Sequence, residues 1–126
     1  MTPRLPSEFD LQRAICIWLD TALLPNVLYW HTPNGGTRTS GFEGKRLKQI
    51  GVKAGVHDLV FLYGGLYGLE LKAPGKYRTP EAGLSQAQRN FHRDALAAGM
   101  VASATADDLE TARQVVRSWG LVREGC

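Results

Sequence analysis

The sequence predicts an α/β domain in which a mixed β-sheet is flanked by helices, and three observations carry that prediction. Segments with apolar residues at helical spacing alternate with short runs of branched and aromatic residues, in the order α, β, weak α, β, β, α, β, α. Leu59 to Tyr63 is apolar on both faces, as a strand covered on both sides of its sheet must be. With 44% hydrophobic and 21% charged residues, the 126-residue chain resembles neither a disordered tail nor a coiled coil, so residues 1–126 are expected to form a single domain.

The first helix is announced by Ser7 and Asp10, an N-cap with an acidic first turn. Leu11, Ile15, Trp18, Leu19 and Ala22 then recur at helical spacing until Pro25. Glu8 and Gln12 project onto the same face as Ile15 and Leu19, where polar groups need a reason. Either Glu8 sits in water at a frayed turn and Gln12 bonds to backbone, or both serve a site. Val27 to His31 reads as a strand, and Thr32-Pro33-Asn34-Gly35-Gly36 as a turn. Phe42 to Ile50 is the weak helix, ended by Gly51. Leu59 to Tyr63 and Leu66 to Ala73 form a hairpin about Gly64-Gly65, and a polar loop runs from Pro74 to Gly83. Ser85 with Gln88 three residues on is a capping box for a helix ending at Gly99. Met100 to Ala104 supplies one more strand. Thr105 with Asp108 caps the last helix, whose stripe is Leu109, Ala112, Val116 and Trp119.

Charge is distributed unevenly. Thr32 to Lys53 holds Arg38, Lys45, Arg46, Lys48 and Lys53 against Glu43 alone, whereas the other residues carry ten basic and eleven acidic side chains. Such a segment is either a polyanion footprint or a solvated face. Cys16 and Cys126 offer neither a disulfide framework nor zinc-site spacing. No apolar run is long enough to span a bilayer, and Pro3, Pro6 and Glu8 stand where a signal peptide needs its apolar segment, so a cytoplasmic protein without membrane attachment is expected.

The chemistry-bearing residues lie in the hairpin. Asp58 opens one strand and Glu70 and Lys72 sit in the other, three charges among Leu, Val, Phe and Tyr. Alternation along a strand sends Glu70 and Lys72 to one face. Alone, such a pair is either a structural ion pair or part of a site. Carboxylates from two neighbouring strands, a third from the first helix and the backbone carbonyl of Leu71 together match the oxygen donors that Mg2+ or Mn2+ prefers. Lys72, a compact point charge, suits the orientation of a nucleophile or the stabilisation of developing anionic charge. For Asp58 to reach Glu70's face, the hairpin needs a three-residue loop, with Tyr63 opposite Tyr67 and Asp58 opposite Lys72, or else a distortion near His57. A two-residue Gly64-Gly65 loop would put Asp58 on the opposite face.

Gly55-Val56-His57-Asp58, a short apolar strand and Glu70-Leu71-Lys72 resemble the PD-(D/E)xK nuclease signature. Their surroundings resemble the virus-type replication-repair nuclease domain, VRR-NUC. The likeness runs through Glu8 and Gln12, His31-Thr32-Pro33-Asn34-Gly35-Gly36, Gly51-Val52-Lys53-Ala54-Gly55, the Asp58 and Glu70-Leu71-Lys72 core, and Leu84-Ser85 through Gln88. It implies a restriction-endonuclease-like core that cuts DNA with a divalent metal. Glu8, Asp58 and Glu70 would be the ligands, Lys72 catalytic, and Gln88 a support to the site. It further implies a DNA-repair setting in a bacterial or phage-infected host cell and, for a standalone domain, likeness to Holliday-junction resolvases, which act as symmetric dimers on branched DNA. His57 stands where that family usually has proline, either as a turn residue or as a substrate contact.

The leading expectation is a Mg2+- or Mn2+-dependent endonuclease selective for DNA structure. Arg38, Lys45, Arg46, Lys48, Lys53, Lys76 and Arg78 would grip the backbone, for no base-reading motif is evident. The rival is a nucleic-acid-binding module without catalysis. A third reading, hydrolysis of small phosphoesters, has no evident substrate pocket in the sequence and leaves the basic segment without a purpose. Neutralising Lys45, Arg46, Lys48 and Lys53 one at a time is expected to weaken binding to all DNA sequences alike. Each lost phosphate contact lowers the slope of log affinity against log salt by about 0.9 on duplex DNA. An unchanged slope in all four variants would mark the segment as ordinary solvated surface.

Overall fold

The computed structural model describes residues 7–33, 45–46 and 48–126. Helix α1, Glu8–Ala22, starts where the Asp10 N–H donates to Ser7 Oγ and the Ser7 N–H donates to Asp10 Oδ2, both at 3.0 Å. It buries Leu11, Ile15, Leu19 and Ala22, the stripe its spacing predicts. The strands β1 (Leu28–His31), β2 (Leu59–Leu62), β3 (Leu66–Leu71) and β4 (Ala102–Ala106) form one four-stranded sheet in that order. β1 with β2 and β2 with β3 are antiparallel, while β3 with β4 is parallel. A parallel pair needs a long crossover, and here it contains a 3-10 turn, Pro80–Gly83, and helix α2, Gln86–Ala97. Helix α3, Leu109–Ser118, closes the chain's regular structure.

Alternation along the strands divides the molecule into three layers. Leu59, Phe61, Leu69 and Leu71 face α1 and α3 and form the core with Leu11, Ile15, Leu19, Ala112, Val116 and Leu121. Gly68 and Glu70 face the other way, toward His57 and toward His92 of α2. Leu59, Val60 and Phe61 are all buried, so β2 is an internal strand covered on both sides, as its composition requires. The architecture is thus the mixed sheet flanked by helices that the sequence predicts.

Several boundaries differ, each for a physical reason. The hairpin pairs Leu62 with Leu66, Phe61 with Tyr67 and Leu59 with Leu69, so its three-residue loop is Tyr63-Gly64-Gly65. The loop length is as expected, but it begins one residue earlier, and the register carries Asp58 opposite Glu70 rather than Lys72. Tyr63 is drawn out of the strand because its N–H donates to the Gly65 carbonyl at 2.9 Å. β4 runs Ala102–Ala106 instead of Met100 to Ala104. The chain leaves α2 through Gly99, at φ +117°, with Met100 N–H still bonded to the Ala95 carbonyl at 2.9 Å, so pairing starts later. Thr105 is therefore a buried strand residue, and the cap of α3 is Asp108, whose Oδ1 accepts the Thr111 N–H at 2.6 Å. Lys45, Arg46, Lys48 and Gln49 are helical, and Gly51 follows at φ +94°, as anticipated for the weak helix. Arg38, the Asn34-Gly35-Gly36 part of the turn and Phe42 lie outside the described residues. Among the described residues no helix is long and apolar enough to cross a membrane.

Gly68 shows how tightly the second layer is seated. A Cβ there would lie 2.5 Å from the Cγ of the fully buried His57 ring. Gly68→Ala is therefore expected to cost about 1–3 kcal/mol, read as a lower urea midpoint with the slope unchanged. An unaltered midpoint would mean that His57 is free to move aside.

Candidate active site

Asp58 directly precedes β2 and is anchored from three directions. Its Oδ2 accepts the Leu71 N–H at 2.8 Å, and its carbonyl accepts the Thr32 N–H at 2.9 Å and lies 2.8 Å from His31 Nδ1. His31 thus makes a structural bond to β2's entry. Because Asp58 lies across from Glu70, the two carboxyl groups meet. Asp58 is 4% and Glu70 1% exposed. Burial, with the Glu70 carboxyl beside it, pushes Asp58 up to about 8 against the pull of the Leu71 N–H. Burial also raises Glu70, and Glu8 adds to that, while the Asp58 hydrogen bond and Lys72 oppose it. Near pH 7 a proton on Asp58 therefore accompanies the contact.

The two acids line a cleft of about 550 Å3 at the end of the sheet. Glu8, Phe9 and Gln12 of α1 line it on one side, His31 and Lys72 lie with the acids, and Gly83 at the end of the 3-10 turn joins Ser85 and Gln88 at the start of α2. The pocket has no signature in the sequence, because it arises where two helix starts meet the strand end. Lys72 Nζ donates to Gln88 Oε1 at 2.8 Å, and the Ser85 N–H donates to that same oxygen at 2.8 Å. Gln88 therefore caps its helix and holds the lysine at once. Leu71 is not among the residues that line the cleft, and its N–H donates to Asp58. Lys45, Arg46, Lys48, Lys53, Lys76 and Arg78 are exposed and lie outside the cleft lining, with Lys76 Nζ 5.5 Å from the centre of the Tyr77 ring.

The donor chemistry fits a hard divalent cation. Two touching carboxyl groups, both pushed toward protonation, regain their charges most favourably around Mg2+ or Mn2+. Glu70 Oε2 is buried without a hydrogen-bond partner. Among the described residues no three His, Cys, Asp or Glu side chains are gathered into a ready-made cage, so Glu8 shares the cleft with Asp58 and Glu70 without closing on them.

Behind Glu70 lies a pair of rings that the sequence reading did not anticipate. His92 stacks on His57 with centroids 3.8 Å apart and planes 15° from parallel. His57 Nε2 is 2.6 Å from Ser103 Oγ, and His92 Nε2 is 3.5 Å from Glu70 Oε2. Burial lowers His57 to about 4 and lowers His92 as well, so both rings are neutral near pH 7. His57 is thus a buried packing residue rather than an exposed substrate contact. The available signal for His92 was its position four residues after Gln88, on the same helix face. Phe9, 74% exposed, also lines the cleft, a position that helical spacing alone does not mark.

No family model and no curated protein matches the chain. Among solved structures it is similar to a "VRR_NUC domain protein", at 18% identity and a TM-score of 0.68, over 94% of this chain and 90% of that one. The chain has the VRR-NUC fold, consistent with the restriction-endonuclease-like architecture expected.

The raised carboxyl group sets a pH dependence. Asp58 ordinarily ionises near 3.8 and in the fold near about 8. The folded state therefore binds its proton more firmly, and the stability this contributes is complete below the lower value and lost as pH rises through the higher. The metal-free protein is expected to show a Tm falling from about pH 5 to about pH 8, a fall that Asp58→Asn flattens and that Mg2+ reverses more at the upper end. Thermal melts across that range check it.

Proposed function

We propose that the chain is a Mg2+- or Mn2+-dependent DNA endonuclease that selects its substrate by structure. The observation that carries this reading is the contact of two buried carboxyl groups, Asp58 and Glu70, at a cleft that also holds Lys72 and Gln88. The likeness in fold to a protein named for its VRR_NUC domain supports it. Glu8, Asp58 and Glu70 are the residues that would hold the ion. Bound there, it supplies Lewis acidity, activating water and offsetting charge on the phosphoryl oxygens.

The chain's own groups account for the rest. Gln88 Oε1 engages one of the three donors of Lys72 and leaves two for the attacking water or a phosphate oxygen. Asp58 is fixed through its Leu71 bond, so the carboxyl group cannot swing away as substrate enters. The exposed cations of the basic segment supply contacts to phosphate without regard to sequence, and two copies about a two-fold axis would present two such surfaces to branched DNA.

Cleavage of flaps, splayed arms and four-way junctions with Mg2+ or Mn2+ tests the proposal. Asp58→Ala and Glu70→Ala should abolish cutting while DNA binding persists or tightens as repulsion falls. Lys72→Met should slow it by about a hundredfold or more. Wild-type protein that binds these substrates and cuts none of them would instead be the non-catalytic binding module.

A further inference from the structure

We infer that His92 is a positioning residue for Glu70, held in turn by His57, and that this ring pair sets the affinity of the cleft for its divalent cation. The inference rests on the metal-dependent reading of the cleft. Its basis is the arrangement behind Glu70. His92 Nε2 and Glu70 Oε2 are both buried, both lack a hydrogen-bond partner, and lie 3.5 Å apart, just beyond bonding distance. Two orphaned polar atoms facing each other are costly unless a small movement joins them. Glu70 lines the cleft and His92 does not, so the imidazole approaches the carboxylate from its far side. A shift of a few tenths of an ångström by Glu70 brings Oε2 within reach of an Nε2–H, leaving the carboxylate's other oxygen for the cleft.

The support for His92 is itself built. Gly55, two residues before His57, packs against the backbone of Ala87 on His92's own helix so closely that no Cβ would fit. The His57 ring covers its face at 3.8 Å, is seated on Gly68 and is tied to Ser103 Oγ at 2.6 Å. His92 is the one residue of α2 that is buried. Loss of a group that hydrogen-bonds a metal ligand from behind typically costs about 10–100-fold in metal affinity.

Binding of Mn2+ to the full chain, followed by the EPR signal of the free ion, tests the inference apart from activity. His92→Phe keeps the stack on His57 and removes the nitrogen, and should weaken Mn2+ by about tenfold. His92→Gln restores a donor at similar reach and should bind within about threefold of wild type, a rescue that a packing role would not give. Ser103→Ala, which releases His57 while deleting only a hydroxyl, should weaken Mn2+ by roughly threefold. That variant decides the matter alone if His92→Phe does not fold. Wild-type affinity in the Phe variant, no gain from Gln over Phe, or an unmoved Ser103→Ala overturns the inference. If wild type binds Mn2+ and cuts DNA while the variants bind equally well, the nuclease reading stands and only the role of His92 falls. If wild type takes up no Mn2+, both fall.

Discussion

The carboxyl groups of Asp58 and Glu70 touch where water hardly reaches, and two negative charges so placed repel too strongly to coexist without help. Much of the strand end can be understood as management of that contact. The Leu71 N–H stabilises Asp58 from the backbone, Lys72 adds a positive charge two residues beyond Glu70, and the neutral histidines close the inner side. Only the mouth of the cleft is left for a compensating charge to arrive from solvent. The contact depends on strand register. An odd offset between β2 and β3 would send one acid into the apolar core formed with α1 and α3, and the even offset seen between Leu59 and Leu69 keeps both on the α2 side.

What the sequence revealed divides along a physical line. Both capping boxes, Ser7 with Asp10 and Ser85 with Gln88, were legible because their bonds close within three residues. The parity of the hairpin was legible from chemistry, since only one parity brings the acids together. Its position was not, because the Tyr63 N–H has a competing partner in the loop. β4 was misplaced because its start depends on how α2 unwinds and on which residues of β3 it meets, neither of which is local. Thr105 looked like a cap for the same reason: a threonine three residues before an aspartate reads alike in a turn and at a strand end. His92 stayed hidden because its meaning comes from a strand some twenty residues earlier, lying under its helix.

The cleft and the basic surface have opposite electrostatic characters. Glu8, Asp58 and Glu70 outnumber Lys72, so the cleft by itself repels phosphate, whereas Lys45, Arg46, Lys48 and Lys53 stand outside it and exposed. For a nuclease this separation has a use. Under the proposed function the basic surface would supply the grip on the DNA backbone, and the acids would contribute once they hold a divalent cation. Affinity for DNA and competence to cut it would then respond to different solution variables, ionic strength for the first and divalent cation for the second.

One oxygen, Gln88 Oε1, terminates two lines of dependence: the start of α2 through Ser85 and the placement of Lys72. Under mutational drift most cap positions exchange freely among residues of similar capping strength, because only helix stability is at stake. Position 88 lacks that freedom. Glutamate would preserve the cap while adding a negative charge beside Lys72 and the two acids, and a shorter amide would release the lysine. Under the proposed function, selection for folding and selection for chemistry would fall on a single atom, and lineages that abandon cleavage would lose glutamine there later than they lose Lys72.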